Sequence, residues 1–273
     1  MLFRSDCTIA IYGNIDSTCR ITGFTIQNGI GCVYGQGAGI YVESASPRLD
    51  NLIIKNNISG TNGGGICLNG NSNSLIDKVL IKNNSADVGG GLYSFNSNPV
   101  ITNSIIQNNH ANNGAGVFLE LCSPNFENVS ITDNNAISSG GGIYCGLTSC
   151  PVLNHVTISN NSASSGGGIL SIQNSQPMFS NSILWGDAPE EIISDPDSIT
   201  IVYSNIQGGW QGSGNINQDP LFCMIEDGDY ALAENSPCLE SGENGVNMGA
   251  FGIGCLTINF PPSEFSLISP ENN

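Results

Sequence analysis

Residues 83–93 read NNSADVGGGLY, and residues 160–170 read NNSASSGGGIL. A stretch so rich in asparagine and glycine that returns nearly unchanged is neither a helix nor a phosphate loop nor a linker. It marks a repeat, and a repeat governs the fold before local propensity does. The apolar residue closing each glycine cluster gives the period. Ile40, Ile66, Leu92, Val117, Ile143 and Ile169 follow one another at steps of 26, 26, 25, 26 and 26 residues. Pro47, Pro99, Pro124, Pro151 and Pro177 keep the same beat, with Ser74 where one proline is missing. Copies cover about residues 37–190, flanked by degenerate ones at 20–29 (RITGFTIQNG) and 202–209 (VYSNIQGG).

A period in the mid-twenties admits helical arrays, leucine-rich repeats or a β-solenoid. Helical repeats need ten or more residues with 3.6-residue periodicity and good helix formers. Here the apolar residues come in short clusters such as LIIK, VLIK and SIIQ, set between turn residues. The leucine-rich signature is absent. Three brief strands per repeat, stacked on the next repeat, predict an all-β chain: a right-handed parallel β-helix with about 26 residues per coil.

Stacking assigns the columns. Two residues after the proline row stand Leu49, Ile76, Ile101, Phe126, Leu153 and Phe179; seven after it stand Ile54, Ile81, Ile106, Ile131, Ile158 and Leu184. Both columns are expected in the dry interior, each side chain stabilising by roughly 1.5–3 kcal/mol. Four after the proline stand Asn51, Lys78, Asn103, Asn128, His155 and Asn181. Asparagine tolerates the left-handed conformation, and stacked amides about 4.8 Å apart can bond along the axis. The expectation is a structural ladder through Asn51, Asn103, Asn128, His155 and Asn181. The glycines mark another corner, of positive φ or close backbone approach.

The chain carries 23 acidic residues against 6 Lys+Arg, a formal net charge of −17. Phosphate backbones and acidic membrane surfaces call for the opposite sign, so nucleic acid is not an expected partner. No run of 18 apolar residues is present to span a bilayer. MLFRSDCTIAIYG at the start has no signal-type apolar stretch, and TINFPPSEFSLISPENN (257–273) reads as a linker. The expected organisation is coils over 1–209, a C-terminal cap over 210–256, and a linker over 257–273 toward a covalently attached downstream domain of a longer exported protein. A cap is needed because an open solenoid exposes strand edges.

None of the ten cysteines falls in a CxxC pair, which argues against a zinc site. Those in the coils (Cys67, Cys122, Cys145, Cys150) read as small buried hydrophobes. Outside the regular coils lie Cys7, Cys19, Cys223, Cys238 and Cys255, and there a disulfide is expected, with Cys238–Cys255 the preferred pair.

NSILWG (181–186), YSNIQGG (203–209), NINQDPLF (215–222), GDYALAENSPCLESG (228–242) and MGAF (248–251) resemble the tail of secreted bacterial right-handed β-helix repeat proteins of the choice-of-anchor type. The GGGI coils are similar to repeats of polymorphic outer-membrane proteins. The companion FxxN motif of that group is not kept, since FEN (126–128) and FSN (179–181) are one residue short. The resemblance implies an extracellular or surface-displayed modular protein.

Right-handed β-helices also include polysaccharide lyases and glycosidases, so chemistry must be sought in the residues rather than in the fold. Three after the proline row stand Asp50, Asp77, Thr102, Glu127, Asn154 and Ser180. Asp50 and Asp77 on adjacent coils, with Arg48 beside them, form the candidate catalytic group of a pectate lyase-like or glycosidase-like enzyme acting on an acidic glycan. The same pair is the candidate calcium site, since calcium gathers carboxylate oxygens. His155 reads as a bend-filling histidine bonded to backbone, His110 in NNHANNG has no acid or nucleophile beside it, and no GxSxG, HExxH or P-loop occurs. The leading expectation is therefore a non-catalytic exported module without a cofactor. Its role would be adhesion, extracellular glycan contact or self-association, with Tyr41, Tyr93, Phe118 and Tyr144 as an aromatic stripe beside the glycine corner.

Overall fold

The structure is a computed structural model that describes residues 7–32, 35–196 and 198–256. The linker expected over 257–273 lies outside these residues.

Three rows of short parallel strands run along a solenoid axis. The first row is an eight-stranded sheet: Ile9–Tyr12, Ile40–Glu43, Ile66–Asn69, Leu92–Phe95, Val117–Glu120, Ile143–Gly146, Ile169–Ser171 and Ile192–Ser194. The second row includes Arg48–Asp50, Leu75–Asp77 and Val100–Thr102, and the third includes Ile53–Lys55, Leu80–Lys82 and Ile105–Gln107. These two rows join into one 14-stranded sheet because Asn125–Thr132 and Val152–Ser159 run unbroken through both. Register is kept from coil to coil: Ile40 pairs with Ile66, Leu49 with Ile76, and Ile54 with Ile81. The fold class is the β-solenoid that the 26-residue beat predicts.

Left-handed residues turn the chain between rows. The residue four after the proline is left-handed in successive coils (Asn51, Lys78, Asn103, Asn128, His155 and Asn181, φ 47–55°). So is the first member of each Asn-Asn-type pair, at Asn56, Asn83, Asn108, Asp133 and Asn160. Asparagine serves there because its short polar side chain offsets the Cβ penalty of that region. At the third corner the first glycine has positive φ, and a Cβ on Gly89 would stand 2.8 Å from Tyr93 Cβ. The last glycine of the cluster is required for a different reason. A Cβ on Gly91 would meet Gly116 O at 2.6 Å and Ile106 Cγ2 at 2.8 Å on the inside of the coil.

The two apolar columns and the first-row residues Ile40, Ile66, Leu92, Val117, Ile143 and Ile169 fill the interior, each at most 2% exposed. A separate cluster lies outside the first row. Tyr41, Cys67, Tyr93 and Phe118 are buried there with Cys32. Phe118 stacks on Tyr144 with ring centroids 4.4 Å apart, and on Tyr93 at 5.6 Å. The aromatic stripe is thus closed largely upon itself, because the glycine corner folds back over it.

The segment expected as a cap divides in two. Residues 203–218 complete the last coil: Ile206 N donates to Ile216 O, and Trp210 packs on the end of the core. The rest leaves the end and docks along the flank. Strands Phe222–Met224, Asp229–Ala233 and Ile253–Cys255 form a small sheet. Phe222, Tyr230, Leu232, Cys238 and Met248 bury against Ile183 of the third row. Tyr230 OH donates to Asp133 Oδ1 at 2.9 Å, Ala250 N to Thr157 Oγ1 at 2.9 Å, and Gly249 N to Asn181 O at 2.8 Å.

Cys255 is bonded to Cys223, not to Cys238. Cys223 belongs to the same small sheet as Cys255, whereas Cys238 is buried on the solenoid side, accepting from Asn205 Nδ2 at 3.1 Å. A second disulfide joins Cys7 to Cys32, and Cys19 is free and exposed.

Candidate functional site

The outward face of the second row carries Asp50, Asp77 and Arg48, and the structure brings them together. Arg48 Nε donates to Asp50 Oδ1 at 3.0 Å, and its Nη2 lies 3.6 Å from Asp77 Oδ2. A residue that the sequence pattern did not single out completes the group. Arg20, from the degenerate first coil, forks onto both oxygens of Asp50 at 2.6 Å each. Thr22 Oγ1 and Asn51 Nδ2 also donate to Asp50 Oδ2, at 2.8 and 2.9 Å. Arg20 reaches Asp50 because Arg20–Thr22 pairs in register with Arg48–Asp50. A register count from Asp50 back one coil would have found it.

This arrangement suits an ion-pair clamp better than a catalytic or calcium centre. The Asp50 carboxylate has no exposed surface, and Arg20 first, then the neighbouring donors, hold its titration far below the usual carboxylate range. A general base needs a free lone pair and a value near the working pH. Asp50 has neither. A cation would have to displace five donated hydrogen bonds while facing two guanidinium groups, so the residues do not fit calcium. Among the described residues no group of three or more His, Cys, Asp or Glu could hold a metal ion.

The polar column continues in the same manner. Thr102 Oγ1 and Asn103 Nδ2 donate to Asp77 Oδ1 at 2.8 and 2.9 Å. Asn154 Nδ2 reaches both oxygens of Glu127, at 3.1 and 2.9 Å. Ser180 Oγ and Asn181 Nδ2 donate to Asn154 Oδ1 at 2.8 and 2.9 Å. Asp77 and Glu127 are each held by the following coil, whereas Asp50 is held by the preceding one and its own. His155 Nδ1 lies 3.4 Å from Glu127 Oε1.

The residues proposed as an amide ladder therefore make mixed contacts on the surface. Asn51 and Asn103 bond to aspartates and Asn181 to Asn154, while Asn128 Nδ2 approaches Asn103 Oδ1 at 3.5 Å, the one amide-to-amide contact among them. The continuous ladder stands six residues further along, at Asn57, Asn84, Asn109, Asn134 and Asn161, all at most 1% exposed. Each backbone N–H and each Nδ2 donates to the Oδ1 of the next coil, as Asn84 does to Asn109 at 3.0 and 3.1 Å. The same Nδ2 donates to a third-row carbonyl one coil back, Ile54 O at 2.9 Å. Sequence carries a signal for this column, the recurring NN pair. Its first member turns the chain and its second turns inward.

One open surface accompanies the first row. A depression of about 490 Å³ is lined by Gln36, Tyr41, Glu43, Asn62, Asn69 and Tyr93. Tyr41 OH donates to Glu43 Oε2 at 3.1 Å, and Asn69 Nδ2 donates to Gln36 Oε1 at 3.0 Å. It offers side-chain amides, with no pair of free carboxylates.

Comparison with known proteins agrees with this geometry. No curated protein matches the chain. The family model for the Chlamydia polymorphic membrane protein repeat matches residues 155–172, which contain one GGGI corner. The family model for the right handed beta helix region matches residues 3–155 of the 273. That span exceeds half of the chain and includes the Arg20–Asp50–Arg48 clamp, the amide ladder through Asn134 and most of the coils, so the chain belongs to the right-handed β-helix family.

Proposed function

We propose that this chain is a non-catalytic module of the bacterial surface, a rigid adhesin-like or structural element carried outside the cell by a larger protein. The observation carrying this reading is the outward acidic column. Asp50, Asp77 and Glu127, the acids best placed for chemistry on a flat solenoid face, are all bonded to neighbouring coils rather than turned toward a substrate. A catalytic acid or base must instead reach the substrate with a titration matched to its task. The likeness of residues 155–172 to a polymorphic membrane protein repeat supports the surface setting. Extracellular glycan is the ligand class we assign to the Gln36–Asn69 depression, on the strength of its amide groups.

The test sets the module against the enzyme. Purified protein with calcium is incubated with polygalacturonate or alginate, and unsaturated products are followed by absorbance. No release is expected. Release that disappears in both Asp77→Asn and Arg48→Ala would overturn the module reading. On a glycan array, binding that is lost in Asn69→Ala supports glycan contact, and an array without binding removes it.

A further inference from the structure

The buried amide ladder does not end on an amide. One coil beyond Asn161 the same column is occupied by Asp187, 8% exposed, whose Oδ1 accepts from Asn161 N at 2.6 Å and from Asn161 Nδ2 at 2.8 Å. Oδ1 therefore does what every ladder oxygen does. The anomaly is the other oxygen. A Cβ on Gly91 or Gly142 would meet the Nδ2 of Asn109 or Asn161 at 3.0 or 3.1 Å; on Gly168 it would meet Asp187 Oδ2 at 2.7 Å. Asp187 Oδ2 thus sits in the seat of an amide donor. It is buried and has no hydrogen-bond partner.

A second acid comes to it. Glu191 Oε1 accepts from Asp187 N at 3.0 Å, which draws the glutamate back over the ladder's end, and its Oε2 is likewise buried without a partner. The two side chains are within hydrogen-bonding reach of each other. Both line an open depression of about 370 Å³ together with Pro189, Ile192, Ile206 and Trp210. Among the described residues no lysine, arginine or histidine forms an ion pair with either acid. The charged and titratable groups around them are Glu190, which accepts from Gly166 N, and Tyr230 with its acceptor Asp133, reached from the docked tail. The strands and corners packed on the pair (157–161, 166–171 and 205–210) contribute no ionisable side chain.

Two adjoining carboxylates, each with a buried oxygen that has no partner and neither with a counter-charge, repel each other strongly, and one proton between them removes the conflict. We propose that Asp187 and Glu191 share one proton, so that Asp187 closes the ladder as a neutral acid and the last coil is latched by a proton. The O–H then supplies the donor that an asparagine amide supplies in every earlier coil. Burial first, then the neighbouring acid, pushes the titration of Asp187 up, and burial pushes that of Glu191 up. Folded values above the unfolded ones mean that the latch is at full strength below about pH 4, the ordinary carboxylate range, and weakens as pH rises through the folded values. The sign is opposite to that of Asp50.

Asp187→Asn and Glu191→Gln each replace the shared proton with permanent N–H donors. Melting temperatures of the three proteins are measured from pH 4 to pH 8. Asp187→Asn is expected to match wild type at pH 4 and to exceed it by about 2–4 °C at pH 8, with Glu191→Gln shifting the same way. Hydrogen exchange should localise the effect: at pH 8 amides in 187–194 gain about tenfold protection in Asp187→Asn, a factor that corresponds to one unit of titration shift. A difference between Asp187→Asn and wild type that is constant across pH would overturn the proposal, as would an equal change in protection at Ile66–Asn69. Millimolar calcium that raises the melting temperature of wild type but not of Asp187→Asn would also overturn it, since the pair would then be a cation site. If Asp187→Asn does not fold, the pH profile of Glu191→Gln decides alone.

Discussion

Two asparagine columns run the length of this solenoid with the same period, and they do opposite kinds of work. In the inner one each amide makes bonds on two neighbouring coils, and each oxygen takes two donors. In the outer one the side chain is a surface contact of opportunity, and its value lies in the backbone, where φ near +50° turns the second row into the third. The contrast shows that a periodic residue reports a periodic need, which is as readily a bend as a bond.

The largest effect should come from breaking the inner column. Asn109→Leu leaves Asn84 N and Nδ2, Ile81 O and Asn134 Oδ1 short of partners. At about 1–3 kcal/mol for each unsatisfied buried group, partly offset by relaxation, a loss on the order of 3–5 kcal/mol is expected in urea unfolding followed by circular dichroism. A loss below 1 kcal/mol would show that the inner column is not what joins the coils. The next effect tests the space the column needs. Gly91→Ala should cost about 1–3 kcal/mol by overpacking, because its Cβ would press on backbone and on Asn109. Gly60→Ala, where a Cβ meets nothing within 4 Å, should cost nothing measurable.

Acid should unclamp the outer face at its ion pairs. The carboxyl of Asp50 is held low by Arg20 and its other donors, so its contribution is present at neutral pH and is lost as pH falls below the unfolded value of about 4 and through the folded one. Melting temperature from pH 5 to pH 2 should fall more steeply for wild type than for Asp50→Asn, which is the less stable of the two at pH 7. Parallel profiles would leave the clamp without energetic weight. The smallest effect belongs to the outer asparagines. Asn128→Leu should cost about 1 kcal/mol for a left-handed residue with a bulky side chain, whereas Asn128→Gly should stay within about 0.5 kcal/mol of wild type. If the glycine variant loses as much as the leucine variant, the outer amide carries the stability and the contrast between the columns fails.

The solenoid, its period and its apolar columns were legible because burial repeats with the strand. Leu49 and Ile76 recur at one place in the beat for one reason. The left-handed corners were legible as well, since asparagine and glycine mark them. Which asparagine turns inward was not, because Asn56 and Asn57 are identical letters and differ only in φ and in the face they present. The disulfide was misread for a related reason. Cys223 and Cys238 are both near Cys255 in the chain, and only the docking of the tail decides that Cys238 faces the coils. Asp50 and Asp77 were correctly brought together by register, yet their chemistry depended on Arg20, one coil away in a copy of the repeat too degenerate to stand in the alignment of rows.

A stack of coils that touch only their neighbours can unzip from an end one rung at a time. The tail changes that for the C-terminal part of this molecule. By bonding to Asp133, Thr157 and Asn181 and burying Ile183, it fastens rungs that would otherwise separate in sequence. Fraying from that end must peel the fastening before it frees the rungs beneath. Under a pulling force, this region should therefore yield as one block of several coils, while the coils before it let go singly.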